Sequence, residues 1–287
     1  MNRLSIITIN YNNAGGLNRT LHSVEIQSSH EFEHIIIDGG SSDGSIESIK
    51  SYEEHLDSKR ISENTDYPIL FWVSEKDDGI YDAMNKGVRK ASGDYLFFLN
   101  SGDTLASQTV LDEMIQQLDG TDFVIGRVNF TRSGQVESQS RLLCERDMTM
   151  YHMYLYGINH QSVLIKRDLL LETPYDTSVK MGADWKFFVQ KIVLGGASTR
   201  FVNSFFADFD LSGLSSDTQA IRRERDSLLS TIIPERIARD YLSIAPHYYE
   251  VIRIEWLLRH PFWYRIYRAW TSFGRTISHN DGKYEMQ

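Results

Sequence analysis

Three acidic loops in the first half of the chain carry the side chains best suited to chemistry. Their sequences are Asp38-Gly39-Gly40-Ser41-Ser42-Asp43-Gly44, Ser74-Glu75-Lys76-Asp77-Asp78-Gly79 and Asn100-Ser101-Gly102-Asp103. Carboxylates at loop tips suit a hard divalent cation such as Mg²⁺ or Mn²⁺, which usually shares its ligands between one or two carboxylates and substrate phosphates. The chain has neither a GxxxxGK[ST] nor a GxGxxG phosphate loop. We therefore expect a cation on Asp103 to neutralise phosphate.

Each of these side chains also has a structural interpretation. An Asp at a strand end often caps the next helix, and Asp43 fits this role better than Asp38, which directly ends a predicted strand. Asp77 and Asp78 could favour the N-terminus of the following helix through its dipole, and Asn85 could lie on the solvated face of that helix. Taken one at a time, Asp43, Asp77, Asp78 and Asn85 favour structural roles, whereas Asp38, at the strand terminus, favours a functional one.

Asp184 and His160 are the candidates for acid–base chemistry in the second half of the chain. Asp184 begins a predicted amphipathic helix, residues 184–194, which places Trp185 and Phe188 on one face. A helix N-cap explains this carboxylate as well as a catalytic base does. A lone histidine such as His160 is more often structural, so the residues alone leave both roles open.

Composition excludes several classes of protein. The 287 residues are 41% hydrophobic and 24% charged, which is typical of a globular chain. A net charge of −9 argues against a nucleic-acid partner. Cys144 is the only cysteine, which excludes an intrachain disulfide, a zinc ribbon and a CxxC redox site. No apolar run suits a signal peptide or a bilayer span, so we expect a cytoplasmic protein, soluble or attached to the inner face of the cell membrane.

Alternating strands and helices position the acidic loops. Apolar, β-branched segments predict four buried strands at residues 4–9, 34–37, 69–73 and 95–99. Apolar residues recur at helical spacing between them, and this alternation implies right-handed crossovers and a parallel sheet. Ligands of open α/β sheets bind at the carboxyl ends of the strands. The sequence therefore predicts an α/β fold with the acidic loops along one crevice.

The second half of the chain is less regular. We predict a helix at 110–118, a turn at 132–135 and strands at 123–130 and 162–165. After about Ala245, aromatic and basic residues crowd together. Aromatic anchors beside arginines suit a helix in a membrane interface. Packing on the rest of the protein, or a homodimer surface, explains them equally well.

Several motifs together resemble the family 2 glycosyltransferases, most closely the bacterial O-antigen, capsule and colanic-acid branch. The resemblance is dense over residues 4–105, and segment 75–87 is similar to the branch pattern E-x-D-x-G-I-Y-D-A-M-N-K-G. Its ordered motifs are Ile6-Thr8-Asn10-Tyr11-Asn12-Asn13, the first and third acidic loops, His160-Gln161, Gly182-Ala183-Asp184-Trp185 and Gly213-Leu214-Ser215-Ser216.

The resemblance implies a GT-A fold, with a mostly parallel central sheet and flanking helices. It also implies an inverting transfer of a hexose from a UDP-sugar to a lipid-linked or oligosaccharide acceptor in surface polysaccharide biosynthesis, with Mn²⁺ or Mg²⁺ as cofactor. The nucleotide-sugar site would comprise Thr8, Asn10, Tyr11, Asn13, Asp38, Asp77, Asn85 and Asn100. Asp38 and Asp77 would face uracil or ribose.

The remaining implied roles concern the metal, the base and the acceptor. Asp103 matches the metal-coordinating acid, and Asp184 matches the catalytic base. His160, Gln161 and Trp185 would lie towards the acceptor or the diphosphate. The segment 213–216 resembles a loop that closes over the site, or it forms a turn before the next helix. Asn100 departs from the family pattern, because many relatives have Asp there, and this leaves the site one charge weaker.

Three regions and two other functions complete the expectations. Residues 1–105 would form the nucleotide-sugar half of one domain, 106–245 the acceptor half, and 246–287 a helical C-terminal segment. A sugar-1-phosphate nucleotidyltransferase would need a basic residue in loop 10–16, which has none. A non-catalytic carbohydrate-binding protein would be favoured by loss of the Asp103 or Asp184 carboxylate, and both are present.

Overall fold

A nine-stranded sheet organises the first of two units into which the chain divides, Met1–Ile232 and Ile233–Gln287. The computed structural model describes residues 4–63, 68–212 and 218–278. The strands are β1 (Leu4–Asn10), β2 (Phe32–Asp38), β3 (Ile69–Ser74), β4 (Tyr95–Phe98), β5 (Thr104–Leu105), β6 (Phe123–Arg132), β7 (Gln135–Gln139), β8 (Val163–Lys166) and β9 (Thr199–Asp210). The helices are α1 (Ala14–Glu25), α2 (Ser45–Glu63), α3 (Ile80–Lys90), α4 (Val110–Gln116), α5 (Met150–Leu155), α6 (Arg167–Glu172), α7 (Ala183–Phe188), α8 (Thr218–Ile232), α9 (Glu235–Ile244), α10 (Tyr248–Arg259) and α11 (Pro261–Ser278).

Strand pairing brings the predicted loops to one edge of the sheet. The strand order is β3-β2-β1-β4-β8-β6-β9-β5, with β7 paired to β6. The first four strands are parallel, as predicted, and their register sets Asn10 beside Asp38 and Asp38 beside Ser74. Beyond β4 the sheet is mixed, because β8 runs antiparallel to both β4 and β6. The carboxyl ends of β1, β2 and β3 therefore meet at the crevice.

Helices cover both faces of the parallel strands. Every residue of β1 and β2 is buried, as expected for strands between two helical layers. On one face, Ile36 packs in a cluster with Leu17 of α1 and Ile49 of α2. On the other face, α3 lies so close that a Cβ on Gly87 would be 2.5 Å from Ile7 Cγ2. This packing fixes the helix that follows the second acidic loop.

The less regular second half confirms one local prediction and corrects another. The predicted turn at 132–135 joins β6 to β7, with positive φ angles of 51° at Ser133 and 77° at Gly134. The predicted continuous helix 184–194 is instead α7 followed by a π-helical turn, Val189–Leu194, in which the Gly195 N–H donates to Gln190 O. The wider turn keeps Val189 and Ile192 buried.

The second unit is helical in its described part. It contains α9, a 3₁₀ turn, α10 and α11. Large apolar side chains are exposed on α11, including Phe262 at 67%, Trp263 at 51% and Trp270 at 74%. Across residues 4–63, 68–212 and 218–278, no helix combines the length and the apolar character needed to cross a bilayer.

Candidate active site

Tyr11 and Asp77 flank Gly39 at the β1–β2–β3 end of the crevice. The Tyr11 side chain is 67% exposed. A Cβ on Gly39 would lie 3.1 Å from Asp77 Oδ2 and 3.2 Å from Tyr11 Cδ2, so only glycine leaves this gap open. Burial raises the pKa of Asp77, although Lys86 Nζ donates to its Oδ1 at 2.6 Å. An aromatic ring beside a hydrogen-bonding carboxylate forms a slot that suits a flat, polar group.

Asp38 lies below this slot instead of lining it. Its side chain is fully buried, and Oδ1 accepts hydrogen bonds from Asn10 Nδ2 at 2.7 Å and Ser41 Oγ at 2.6 Å. Oδ2 accepts from Ser41 N at 2.9 Å and Ser74 Oγ at 2.6 Å. Burial alone would raise the pKa of Asp38, but these donors hold it below its usual range. The carboxylate is thus enclosed by protein donors and fixes the loop after β2, and its contact with uracil or ribose stays a prediction.

Three other predicted site residues are also placed beneath the crevice surface. Thr8 Oγ1 contacts His34 Nε2 at 2.9 Å within the sheet. The Asn85 amide donates to Tyr175 O at 2.8 Å and accepts from Tyr175 N at 3.0 Å. Trp185 is buried, and its indole N–H donates to a backbone carbonyl 2.7 Å away. Their polar side-chain atoms are hydrogen-bonded within the protein, and their predicted contacts with the substrates stay predictions.

The loop between β4 and β5 is held by side chains of the first helix and the loop before it. Asn13 caps α1 and donates its Nδ2 to Ser101 O at 3.0 Å. Thr20 Oγ1 accepts from Gly102 N at 3.0 Å and donates to Asp103 O at 2.7 Å. Sequence reasoning missed Thr20, because a buried threonine on an amphipathic helix has no distinctive pattern. These hydrogen bonds fix the backbone of the loop that carries Asp103.

Asp103 is the carboxylate best placed to bind a cation. Its Oδ1 accepts from Asp210 N at 2.9 Å and its Oδ2 from Gln161 Nε2 at 2.9 Å. Burial raises the pKa of Asp103 to about 6, so a nearby positive charge would favour its ionised form. Oδ1 of Asn100, on the same loop, is buried and has no hydrogen-bond partner among the described residues.

These two oxygen donors fit a hard cation that takes its remaining ligands from substrate and water. In the described part of the chain, no three His, Cys, Asp or Glu side chains come together to hold a metal ion. Mg²⁺ needs no such protein cage, because it is usually bound through one or two carboxylates plus substrate phosphates. The partnerless amide oxygen of Asn100 is the kind of donor that such a cation would satisfy.

Asp184 is the second carboxylate of the crevice, after Asp103. Gly182 stands at the N-cap of α7, so Asp184 does not cap this helix. Its Oδ1 accepts from Tyr81 OH at 2.9 Å and from Trp185 N at 2.8 Å, and its Oδ2 contacts His160 Nδ1 at 3.0 Å. Burial alone would raise the pKa of Asp184, but the hydrogen bonds from His160 and from the Trp185 N–H, together with the positive charge of Arg225, leave the pKa below its usual value. Asp184 is therefore ionised at neutral pH.

Consecutive residues join the two acids. His160 and Gln161 lie in the 3₁₀ turn His160–Ser162. Gln161 binds the Asp103 carboxylate, while His160 contacts Asp184 through Nδ1 and Asn100 Nδ2 through Nε2 at 3.0 Å. Asp103, Asn100 and Asp184 are thus linked through the adjacent residues His160 and Gln161.

The structure adds contacts that the sequence did not predict. Tyr81 lies inside the 75–87 motif, so that motif was a usable signal for it, whereas Tyr175 and Asp210 have none. The motif at 213–216 falls outside the described residues.

Similar proteins have glycosyltransferase names. An uncharacterized glycosyltransferase of Mycobacterium tuberculosis (strain H37Rv) is 38% identical over 118 residues, which cover 41% of this chain and 40% of the relative. This chain therefore matches less than half of that relative's length. A PGL/p-HBAD biosynthesis glycosyltransferase of Mycobacterium bovis (strain BCG) is 29% identical over 223 residues, covering 75% of this chain and 79% of the relative.

Solved structures show the same fold at low sequence identity. S. aureus TarS 1-349 in complex with UDP-GlcNAc has a TM-score of 0.59 and 16% identity, covering 84% of this chain and 70% of TarS 1-349. Glucosyl-3-phosphoglycerate synthase of Mycobacterium tuberculosis, in complex with Mg²⁺ and UDP, has a TM-score of 0.52 and 15% identity, covering 81% and 80%. The fold is that of the GT-A glycosyltransferases. The family model "Glycosyl transferase family 2" matches residues 5–177, which are more than half of this chain. The chain therefore belongs to glycosyl transferase family 2.

Proposed function

We propose that this protein is an inverting glycosyltransferase that moves a hexose from a UDP-sugar to a lipid-linked saccharide during assembly of a bacterial surface polysaccharide of the O-antigen or capsule kind. One observation carries the proposal: Asp103 and Asp184 are joined through the adjacent residues Gln161 and His160. In this proposal, residues 1–105 supply most of the donor side and residues 106–245 most of the acceptor side.

The donor would bind along the carboxyl ends of the parallel strands. Uracil would stack on the exposed Tyr11 ring, and the Asp77 carboxylate would accept hydrogen bonds from the nucleoside. Asp103 and Asn100 would hold Mg²⁺ or Mn²⁺, whose charge would neutralise the diphosphate. TarS in complex with UDP-GlcNAc, and the mycobacterial synthase in complex with Mg²⁺ and UDP, support this arrangement.

Asp184 would act on the acceptor. Its carboxylate takes the proton of the acceptor hydroxyl while that oxygen attacks the anomeric carbon in line with the departing UDP. The lowered pKa of Asp184 keeps the base ionised at neutral pH. One displacement inverts the anomeric centre, so no enzyme-bound covalent intermediate is needed. The Mycobacterium bovis relative is a PGL/p-HBAD biosynthesis glycosyltransferase, and its name supports a biosynthetic acceptor for this chain.

Replacing Tyr11 with alanine tests the donor site. Stacking of a base on an aromatic ring contributes about 1–3 kcal/mol, so we expect UDP to bind about 5- to 150-fold more weakly by calorimetry with Mn²⁺ present. Tyr249→Ala is the matched control, because Tyr249 is comparably exposed, at 62% against 67% for Tyr11, and lies in the second unit. Equal UDP affinity of Tyr11→Ala and wild type would contradict the nucleoside slot, and preferential binding of GDP would contradict uridine recognition.

We further propose that α11 lies in the interface of the cell membrane and keeps the enzyme near its acceptor. At 100° per residue, Phe262, Ile266, Trp263 and Trp270 fall within one apolar arc, while Arg265 and Arg268 fall on the other side. The four apolar side chains are exposed. Tryptophans on one side of a helix and arginines on the other suit an anionic lipid surface.

The double substitution of Trp263 and Trp270 with serine tests membrane attachment. Burial of one large apolar side chain contributes about 1.5–3 kcal/mol, so the variant should partition at least about tenfold less into phosphatidylglycerol vesicles in a sedimentation assay. The control substitutes serine for Val136 and Leu142, which are also exposed but lie outside α11. Equal sedimentation of the tryptophan variant and wild type would contradict attachment through α11.

A further inference from the structure

His160 touches the two polar groups that bracket the reacting centre in the proposed function. Its Nδ1 lies 3.0 Å from Asp184 Oδ2, and its Nε2 lies 3.0 Å from Asn100 Nδ2. An amide nitrogen can only donate, and a carboxylate can only accept. Both contacts are hydrogen bonds only if Nε2 accepts and the ring proton is on Nδ1. The two neighbours therefore select one tautomer of the imidazole.

The lone pairs of the two Asp184 carboxylate oxygens show why the contact with His160 matters. Oδ1 receives Tyr81 OH at 2.9 Å and Trp185 N at 2.8 Å, which fill its two lone-pair positions. Among the residues that the structure describes, Oδ2 receives only His160, which leaves one of its lone-pair positions open to the acceptor hydroxyl. Oδ2 is thus the oxygen that can take a proton, and the direction of its open lone pair depends on where His160 holds it.

The imidazole is itself held in place. The edge of its ring packs on Phe98, with centroids 6.5 Å apart and planes at 90°. Phe98 in turn packs on Tyr175, whose backbone is clamped by both polar atoms of Asn85. The His160 side chain is only 11% exposed. A buried chain of rings thus transmits the position of α3 and β4 to the imidazole.

We propose that His160 is a positioning residue. Its Nδ1–H orients Oδ2 of Asp184 towards the acceptor hydroxyl, and its Nε2 accepts a hydrogen bond from Asn100 at the diphosphate end of the site. The inference rests on the proposed function. As the acceptor oxygen bonds to the anomeric carbon, its proton moves to the open position of Oδ2. The bond from the anomeric carbon to the diphosphate breaks, and UDP leaves with the electron pair. His160 keeps its own proton throughout.

Two substitutions separate the two contacts of His160. The amide of asparagine can occupy the place of Nδ1, so His160→Asn retains a donor to Asp184 and loses the contact with Asn100. The longer glutamine reaches the place of Nε2, so His160→Gln retains the contact with Asn100 and loses the donor to Asp184. Hydrogen bonds to charged groups contribute about 1.5–3 kcal/mol, so we expect His160→Gln to lower kcat by about 10- to 100-fold.

The matched variant and the kinetic constants make the test specific. We expect His160→Asn to keep kcat within about fivefold of wild type, a change below 1 kcal/mol, and both variants to keep the KM for UDP-sugar and the melting temperature. Equal loss of kcat in both variants, a change confined to KM, or full activity of His160→Gln would overturn the inference.

An NMR measurement on the wild-type protein tests the tautomer of His160 and does not depend on the folding of any variant. The ¹⁵N shifts of the His160 ring distinguish Nδ1–H from Nε2–H, and we expect the Nδ1–H form at neutral pH. The Nε2–H form or the imidazolium would overturn the inference. The Asp184→Asn variant tests the proposed function separately. If the Asp184→Asn protein still transfers sugar, the assignment of Asp184 as the base fails. If Asp184→Asn is inactive but His160→Asn and His160→Gln have the same kcat, only the role of His160 is removed.

Discussion

Asp184→Asn is expected to yield a folded protein that binds UDP normally and transfers sugar about 10²- to 10⁴-fold more slowly, which is the usual contribution of a general base. The asparagine side chain has nearly the same shape, but it cannot accept the proton of the acceptor hydroxyl at neutral pH. Transfer to a synthetic lipid-linked acceptor measures the loss, and calorimetry on the same preparation measures UDP binding.

The structure makes asparagine the informative substitution at this position. Gly182, not Asp184, is at the N-cap of α7, so loss of a cap does not explain an effect of the substitution. Oδ1 of the new amide can still accept from Tyr81 and Trp185, which limits the structural change. Tyr81→Phe is a useful control, because it removes one donor to Asp184 and leaves the carboxylate. Near-normal transfer by a folded Asp184→Asn protein would remove Asp184 from the mechanism.

Asp103→Ala is expected to abolish the dependence of UDP binding on a divalent cation. In the wild type, Mn²⁺ should tighten UDP binding on the order of 10- to 100-fold relative to EDTA, which corresponds to about 1.4–2.8 kcal/mol. The variant should bind UDP equally under both conditions, because the diphosphate then faces the crevice without a bound cation. Titration calorimetry of UDP with Mn²⁺ and with EDTA measures both values. Equal wild-type affinity under the two conditions would contradict the cation role of Asp103.

Asp103→Asn is the stability control for this experiment. The folded pKa of Asp103 is about 6, above the ordinary value of 3.8, so the folded state holds more protons between these two pH values. Stability therefore falls as pH rises through this window, and the ionised carboxylate is unfavourable at pH 7.5 without a cation. We expect Asp103→Asn in EDTA to melt at or above the wild-type temperature at pH 7.5, while it also loses the Mn²⁺ effect on UDP.

The sequence predicted the parallel half of the fold because buried parallel strands are unbroken apolar runs. Residues 4–9 and 34–37 lie within β1 and β2, which are buried on both faces. The mixed half was harder, because β5 has only two residues and β8 pairs antiparallel with both β4 and β6. Strands this short have no periodicity, and their partners depend on contacts distant in sequence.

The motifs predicted which loops meet at one edge of the sheet, but they did not distinguish the side chains that are enclosed there from those that are exposed. Asp38 and Asp77 both follow strands, yet the loop after β2 folds over Asp38 and encloses it, whereas Asp77 stays beside the exposed Tyr11. Asn85 shows the same limit, since its amide turns inward to the backbone of Tyr175. Side-chain direction at these positions is set by tertiary hydrogen bonds, which a local pattern does not contain.

The hydrogen bonds that hold Asp103 limit which segments of this chain can be exchanged with those of a relative. Its carbonyl is bound by Thr20, while its carboxylate is bound by Gln161 and by the backbone N–H of Asp210. A chimaera joined after residue 105 would take most of the family motifs from one parent. It would take both hydrogen-bond donors to the Asp103 carboxylate from the other parent. Such a chimaera is therefore expected to keep a supported Asp103 only if the second parent supplies equivalent donors, so the two halves are expected to be inherited together.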